Sequence, residues 1–263
     1  MKKNQPIGLL DSGLGGLTVV RELKEKLPNE NIVFIGDELN MPYGTKTAQE
    51  IIDYCRTSVE FLIKNDSKII VFACNTATAL AMPILQEEYD IPMIGVIESG
   101  AQTAVAATKN NNVAVIATEG TIKNESYTKA ISKIKNDVEV NGVAAQSFVK
   151  IVEDDLSESP LAQTMIHDVL QNVIDSKSDT LVLGCTHFPM LKPIIADILG
   201  KDIVLVDPGV ETVNKIKAFL KENDMLNDGL NRTIELNTTA NFENFSKLAL
   251  KWLNNDIDEI NLV

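Results

Sequence analysis

Basic charge is scarce in this 263-residue chain, where 24 Lys and Arg stand against 37 Asp and Glu for a net charge of −13. No Lys/Arg block exists to release phosphate counterions, and an acidic surface repels a polyanion, so the composition excludes a nucleic-acid partner. Long apolar runs are missing as well. After the basic start Met1-Lys2-Lys3, the first run, 7–10, stops at Asp11 and is too short for the core of a secretory leader. The most apolar later stretch, 69–85, carries Asn75, Thr76 and Thr78 and ends near Pro83, which does not suit a lipid-spanning helix. A cytoplasmic protein with no membrane partner is therefore expected. Cysteine is sparse and odd in number: Cys55, Cys74 and Cys185 contain no Cys-x-x-Cys pair and suit free thiols in a reducing compartment better than a disulfide framework.

What is present, 44% apolar residues with charge spread along the whole length, describes an ordinary globular protein long enough for one large domain or two small ones. Short apolar runs at 7–10, 32–35, 69–72, 93–97, 113–117, 181–183 and 203–206 each precede an amphipathic segment, the pattern of βαβ units and a mostly parallel sheet. Helical spacing is clearest over 48–62, through Ile51, Ile52, Cys55, Val59 and Leu62. The tail from 231 shows one more strand-like run, 233–236, and an amphipathic run, 242–253, without evident chemistry.

Two of the strand ends repeat one another, Val-Phe-Ala-Cys74-Asn-Thr and Val-Leu-Gly-Cys185-Thr-His, 111 positions apart. At similar offsets Leu10-Asp11-Ser-Gly13 matches Ala117-Thr118-Glu-Gly120, and Ile97-Glu98-Ser-Gly100 matches Val206-Asp207-Pro-Gly209. Three pairs in one order point to two pseudo-equivalent halves. Ligands of open α/β sheets bind beyond the carboxyl ends of the strands, where Asp11, Cys74, Thr118 and Cys185 all fall. Two halves facing across a cleft would place the two cysteines on opposite sides of one ligand.

Cys74 stands between a buried strand and a helix start, with Asn75 and Thr76 as capping groups. A helix N-terminus favours the thiolate of a cysteine, whose free pKa is about 8.5. Cys185 repeats the arrangement, with Thr186 and His187 following and Pro189 in the first turn. Packing does not ask for such symmetry. Cys55, inside a helical pattern, reads as structural. His187 is placed to polarise a thiol or donate a proton, or else is an exposed turn histidine. His167 reads as a helix-surface residue. The segment Asp11-Ser12-Gly13-Leu-Gly15-Gly16 lacks the Lys-Ser/Thr of a Walker loop, and its acid would repel phosphate. It suits either an ammonium-gripping Asp11 beside a carboxylate-binding Ser12 or a plain Gly-rich turn with an N-cap. Pro42-Tyr43-Gly44 is a ligand loop or a simple turn. Glu153 is a site acid or, as the residues alone favour, part of a solvated charge run.

Together, Asp11-Ser-Gly-Leu-Gly-Gly16, Pro42-Tyr-Gly44, Ala73-Cys-Asn-Thr76, Gly184-Cys-Thr-His187 and Asp207-Pro-Gly209 resemble the glutamate racemase branch of the aspartate/glutamate racemase family, in the same order and through most of the chain. The resemblance implies an α/β fold of two flavodoxin-like halves with mostly parallel sheets and an active site in the cleft between them. It implies a discontinuous first domain, 1–98 with 208–263, and a second, 99–207, Glu98 and Asp207 being the crossing points. It implies Cys74 and Cys185 as the acid/base pair, assisted by Asp11, His187 and Glu153. Substrate is then bound by Asp11, Ser12, Tyr43, Gly44, Asn75, Thr76, Thr186 and His187. The expected reaction is cofactor-independent inversion of glutamate, feeding peptidoglycan synthesis, with no metal and no pyridoxal phosphate. A small molecule is the expected partner, and a homodimer is an allowed assembly. Rival readings are an aspartate or hydantoin racemase, a two-lobed small-molecule binding protein, and a dithiol oxidoreductase, the last disfavoured by the lack of Cys-x-x-Cys.

Overall fold

A computed structural model describes residues 3–263; Met1 and Lys2, the head of the expected first domain and of the basic start weighed as a leader, lie outside the described residues. The chain packs as two units, one taking the residues up to Val96 together with Thr212–Val263, the other Ile97–Glu211. In chain order the first unit opens with β1 (Ile7–Asp11), α1 (Leu17–Lys26), β2 (Ile32–Gly36), α2 (Ala48–Lys64), β3 (Ile69–Phe72), α3 (Asn75–Leu80), α4 (Met82–Glu88) and β4 (Met93–Gly95). Helix α5 (Val96–Ala107) leads into the second unit, which continues with β5 (Asn112–Ala117), α6 (Glu119–Lys123), α7 (Ser126–Ile134), β6 (Glu139–Ala144), α8 (Gln146–Glu153), α9 (Pro160–Asp175), β7 (Thr180–Gly184), α10 (Lys192–Leu199) and β8 (Val204–Val206). Helix α11 (Pro208–Glu222) returns to the first unit, completed by β9 (Ile234–Thr238), α12 (Phe242–Trp252) and β10 (Glu259–Leu262). No helix among the described residues is long and apolar enough to cross a membrane.

Each unit has its own parallel sheet, ordered β10-β9-β2-β1-β3-β4 in the first and β6-β5-β7-β8 in the second. The segments β2-β1-β3-β4 and β6-β5-β7-β8 share one winding order, so the repeat read from the strand ends is a repeat of topology. Central strands of a parallel sheet are covered by helices on both faces and so read as unbroken apolar runs. Strands β1, β2, β3 and β7 are buried at every position.

Helix α2 shows how local sequence sets an element. Thr47 caps it by accepting the Glu50 N–H, while the Glu50 carboxylate accepts the Thr47 N–H at 2.9 Å, a reciprocal cap that offsets the orphan donors of the first turn. Its inner face carries Ile51, Ile52, Cys55, Val59 and Leu62, as their spacing predicts.

Three expectations need revision. The apolar run 93–97 is not a single strand: β4 ends at Gly95, and Val96 and Ile97 are buried in the first turn of α5, where the same side chains meet the core from a helix. Strands β6 and β10 were not expected at all. Both are edge strands with half-exposed patterns, so neither carries an unbroken apolar run.

At the amino ends of the first unit's strands, the Lys68 ammonium is fully buried and paired with the Glu30 carboxylate. The same ammonium donates to Lys3 O at 2.6 Å and Met225 O at 2.9 Å, and Glu30 also accepts the Asn227 N–H at 2.8 Å. Burial holds the Lys68 pKa below the usual lysine range, opposed by the Glu30 carboxylate. The pair thus ties the returning segment after α11 to β3. Truncating one partner of a buried ion pair leaves the other uncompensated, so Lys68→Ala should lower the unfolding free energy by about 3–5 kcal/mol in urea denaturation. A loss below about 1 kcal/mol, the size of an exposed pair, would contradict this role.

Candidate active site

In both sheets the winding reverses beside the first strand, opening a crevice at the carboxyl ends of the strands. In the first unit this crevice lies between β1 and β3. The Ala73 N–H donates to Leu10 O at 3.0 Å, so Asp11 and Cys74 leave adjacent strands together. The cysteine itself is the N-cap of α3, with extended backbone angles, and Asn75 and Thr76, expected as capping groups, instead open the helix. All three side chains are buried.

The Cys74 thiol donates to Ser12 Oγ at 3.7 Å, and the Ser12 hydroxyl donates to Asp11 Oδ1 at 3.3 Å. The Gly13 N–H also donates to Asp11 Oδ1, at 3.2 Å. Asp11 is 1% exposed and closes a turn of its own, while α1 starts at Leu17 behind Gly16 with no side-chain cap. A helix-capping Asp11 is thereby ruled out. A Cβ on Gly16 would stand 2.8 Å from the Asp11 Cβ and 3.1 Å from the Ala73 Cβ, so glycine is what lets the loop lie against both strand ends.

Tyr43 opens a short 3-10 turn, Tyr43–Thr45, that also carries Gly44. Its ring is buried, and its hydroxyl donates to Asp37 Oδ2 at 2.7 Å. Asp37 further accepts the Asn40 amide at 3.0 Å and the Thr239 hydroxyl at 3.0 Å. Burial, reinforced by the Asp37 carboxylate, pushes the Tyr43 phenol far above its usual range. Asp37 gave no sequence signal of its own; its position just past the buried run of β2, at a strand's carboxyl end, was the available one. Cys55 packs in the same core cluster as Tyr43 and Cys74, fully buried, and burial raises its thiol pKa well above the usual value. That environment suits an inert structural thiol.

The second unit's crevice lies between β5 and β7. Cys185 and Thr186 follow β7, both buried, and His187 caps the 3-10 turn Phe188–Leu191 with Pro189 in its first turn. His187 is 3% exposed, so it is no solvent-facing turn residue. Its Nδ1 lies 3.7 Å from Cys185 Sγ and its Nε2 2.9 Å from Glu153 Oε1. Glu153, at the end of α8, is therefore drawn to this group rather than lying in a solvated charge run. Burial opposes the imidazolium, but the Cys185 sulfur and the Glu153 carboxylate outweigh it and raise the His187 pKa well above the ordinary histidine value. Thr118 caps α6 at the end of β5 and shares a hydroxyl contact with Thr121 at 3.1 Å. His167 is exposed beside Asp168 on α9.

The structure thus gathers Asp11, Ser12, Cys74, Asn75 and Thr76 at one crevice and Glu153, Cys185, Thr186 and His187 at the other. Among the described residues no group of three or more His, Cys, Asp or Glu is placed to hold a metal ion. The two thiols differ in their partners: a hydroxyl leaning on a carboxylate for Cys74, an imidazole leaning on a carboxylate for Cys185.

Residues 7–216 match the family model described as Asp/Glu/hydantoin racemase. The chain is 46% identical over 253 residues to the glutamate racemase of Lactococcus lactis subsp. lactis, covering 95% of this chain and 93% of that protein. Among solved structures, a glutamate racemase isoform from Bacillus anthracis superimposes with a TM-score of 0.95 at 36% identity, covering 99% of this chain and 98% of that one. A glutamate racemase from Francisella tularensis subsp. tularensis, solved in complex with D-glutamate, superimposes with a TM-score of 0.92 at 34% identity, covering 99% of this chain and 98% of that one. With both cysteine crevices built on that shared fold, the chain belongs to the Asp/Glu/hydantoin racemase family.

Proposed function

We propose that the protein interconverts L- and D-glutamate without a cofactor, Cys74 and Cys185 serving as the two acid/base groups. The observation that carries this reading is the occurrence of one buried thiol at the same topological position in each unit, each beside a group able to manage its proton. Identity of 46% to a named glutamate racemase across nearly the whole chain favours glutamate over aspartate or a hydantoin.

Breaking the Cα–H bond of an unactivated amino acid is hard, and many racemases use pyridoxal phosphate as an electron sink. Here one thiolate takes the proton from one face of Cα, forming S–H, and the other thiol gives its proton to the opposite face. The carbanion between these steps is held by hydrogen bonds to the substrate carboxylate in a desolvated site. Ser12, Asn75, Thr76 and Thr186 are suited to that binding, with Gly44 on the turn at Tyr43. Asp11 is suited to the ammonium group and, through Ser12, to the Cys74 proton. His187, steadied by Glu153, is suited to the Cys185 proton. After a turnover the thiol and thiolate have exchanged roles, and reset requires only proton exchange. The physiological role that follows is a cytoplasmic supply of D-glutamate for peptidoglycan.

Pure protein incubated with each enantiomer of glutamate and of aspartate should drive the optical rotation of both glutamate solutions to zero and leave aspartate nearly unchanged. Cys74→Ala and Cys185→Ala should each lower kcat by about a thousandfold or more, in line with loss of a positioned acid or base, while Cys55→Ala stays within about threefold. A Cys55 variant as damaging as the other two at equal stability would overturn the assignment. His187 adds a pH dependence. Because its folded pKa lies above its unfolded value, the interaction stabilises the fold fully below about 6.5 and is lost as the pH rises through the raised value. Glu153→Gln should return the His187 titration, followed by its imidazole NMR signals, toward the ordinary range and flatten that part of the stability profile. An unmoved titration would contradict the pairing.

A further inference from the structure

We infer that Thr78 is a positioning residue for the Cys74 thiol, its hydroxyl fixing the bend between β3 and α3 on which that thiol is mounted. Thr78 is 4% exposed. Its Oγ1 lies 3.0 Å from Phe72 O, the last residue of β3, and 2.9 Å from Cys74 O, and donates to this pair of carbonyls from one place. Its own N–H donates to Cys74 O at 2.9 Å. One residue thus holds the strand's final carbonyl and the carbonyl of the helix N-cap. Only Ala73 and Cys74 lie between those carbonyls, so the path of the chain into the thiol is set from both ends. A hydroxyl reaching back four residues competes with the helical bond and bends a helix locally, a useful property at a cap whose own side chain makes no capping hydrogen bond.

The direction of the hydroxyl is enforced from behind. A Cβ at Gly95 in β4 would stand 2.3 Å from the Thr78 methyl, so that methyl occupies the space a larger residue would fill. With the methyl seated against Gly95, the hydroxyl faces the two carbonyls. Pro189 stands four residues after Cys185, where a matching hydroxyl would have to be, so the device acts on Cys74 alone.

The kinetic part of the test rests on Cys74 being an acid/base residue; the labelling part does not. Thr78→Val keeps the shape and removes the hydroxyl, Thr78→Ser keeps the hydroxyl, and Thr78→Ala is a second hydroxyl-free variant should the valine protein not fold. In each folded variant, iodoacetamide labelling of Cys74 and Cys185 is followed by peptide mass spectrometry at one fixed pH, beside kcat and KM for glutamate. Expected for Thr78→Val are a change of about fivefold or more in the Cys74 labelling rate, an unchanged Cys185 rate, and a fall in kcat of about tenfold with KM within about twofold, as for a group acting at the transition state rather than in binding. Thr78→Ser should restore both. Cys74 labelled at the wild-type rate, both cysteines shifting together, or no recovery in Thr78→Ser would each overturn the proposal. If the wild-type protein leaves glutamate unracemised, the proposed function fails, and the labelling ratio still decides the role of Thr78.

Discussion

A parallel sheet wound outward from its first strand has one place where neighbouring connections diverge, and everything chemical in this protein hangs on it. Strands β1 and β5 occupy that position in their sheets. The connections leaving β1 and β3, or β5 and β7, pass to opposite faces, so the side chains just beyond those strand ends are surrounded by backbone yet not roofed by a helix. Buried runs such as 69–72 and 180–184 fix the strands, and the cysteine that follows each run is placed by default. Glycine at 16 and the hydroxyl of Thr78 then adjust how the chain leaves the strand at Cys74.

Equivalent places have not produced equivalent surroundings. Cys74 leans on Ser12 and, through it, on Asp11, the last residue of β1, within the same crevice. Cys185 leans on His187, two residues on, and through it on Glu153, which lies 34 residues before that histidine. A reaction that inverts one carbon asks for two groups of matched proton affinity but presents them with mirror-related substrates. Different partners for the two thiols are compatible with that demand, because each can be tuned against its own environment.

Much of this was legible in the sequence because the decisive signals are local. The fully buried strands β3 and β7, ending just before Cys-Asn-Thr and Cys-Thr-His, declare their conformation in the sequence, and the repeat of the two identifies the halves. Pairings across the fold were not legible. Glu153 looks like one acid among three, and only the packing of α8 beside the turn at His187 gives it a partner. Tyr43 looks like a loop residue, and its burial on Asp37 depends on where the turn folds back. Strands β6 and β10 escaped notice because an edge strand needs no unbroken apolar run. The start of α5 was misread because Val96 and Ile97 satisfy the core equally well from a strand or from a helix.

Whether two thiols divide the work is written in the fate of a single proton. The most direct measurement is the isotopic content at Cα when each glutamate enantiomer is turned over in deuterated water and sampled early. With separate thiols removing and returning the proton, product of either direction carries deuterium from its first appearance while unreacted substrate stays largely protiated. Substantial substrate-derived protium in the early product would mean that a single group carries the proton from one face to the other, and would contradict the account.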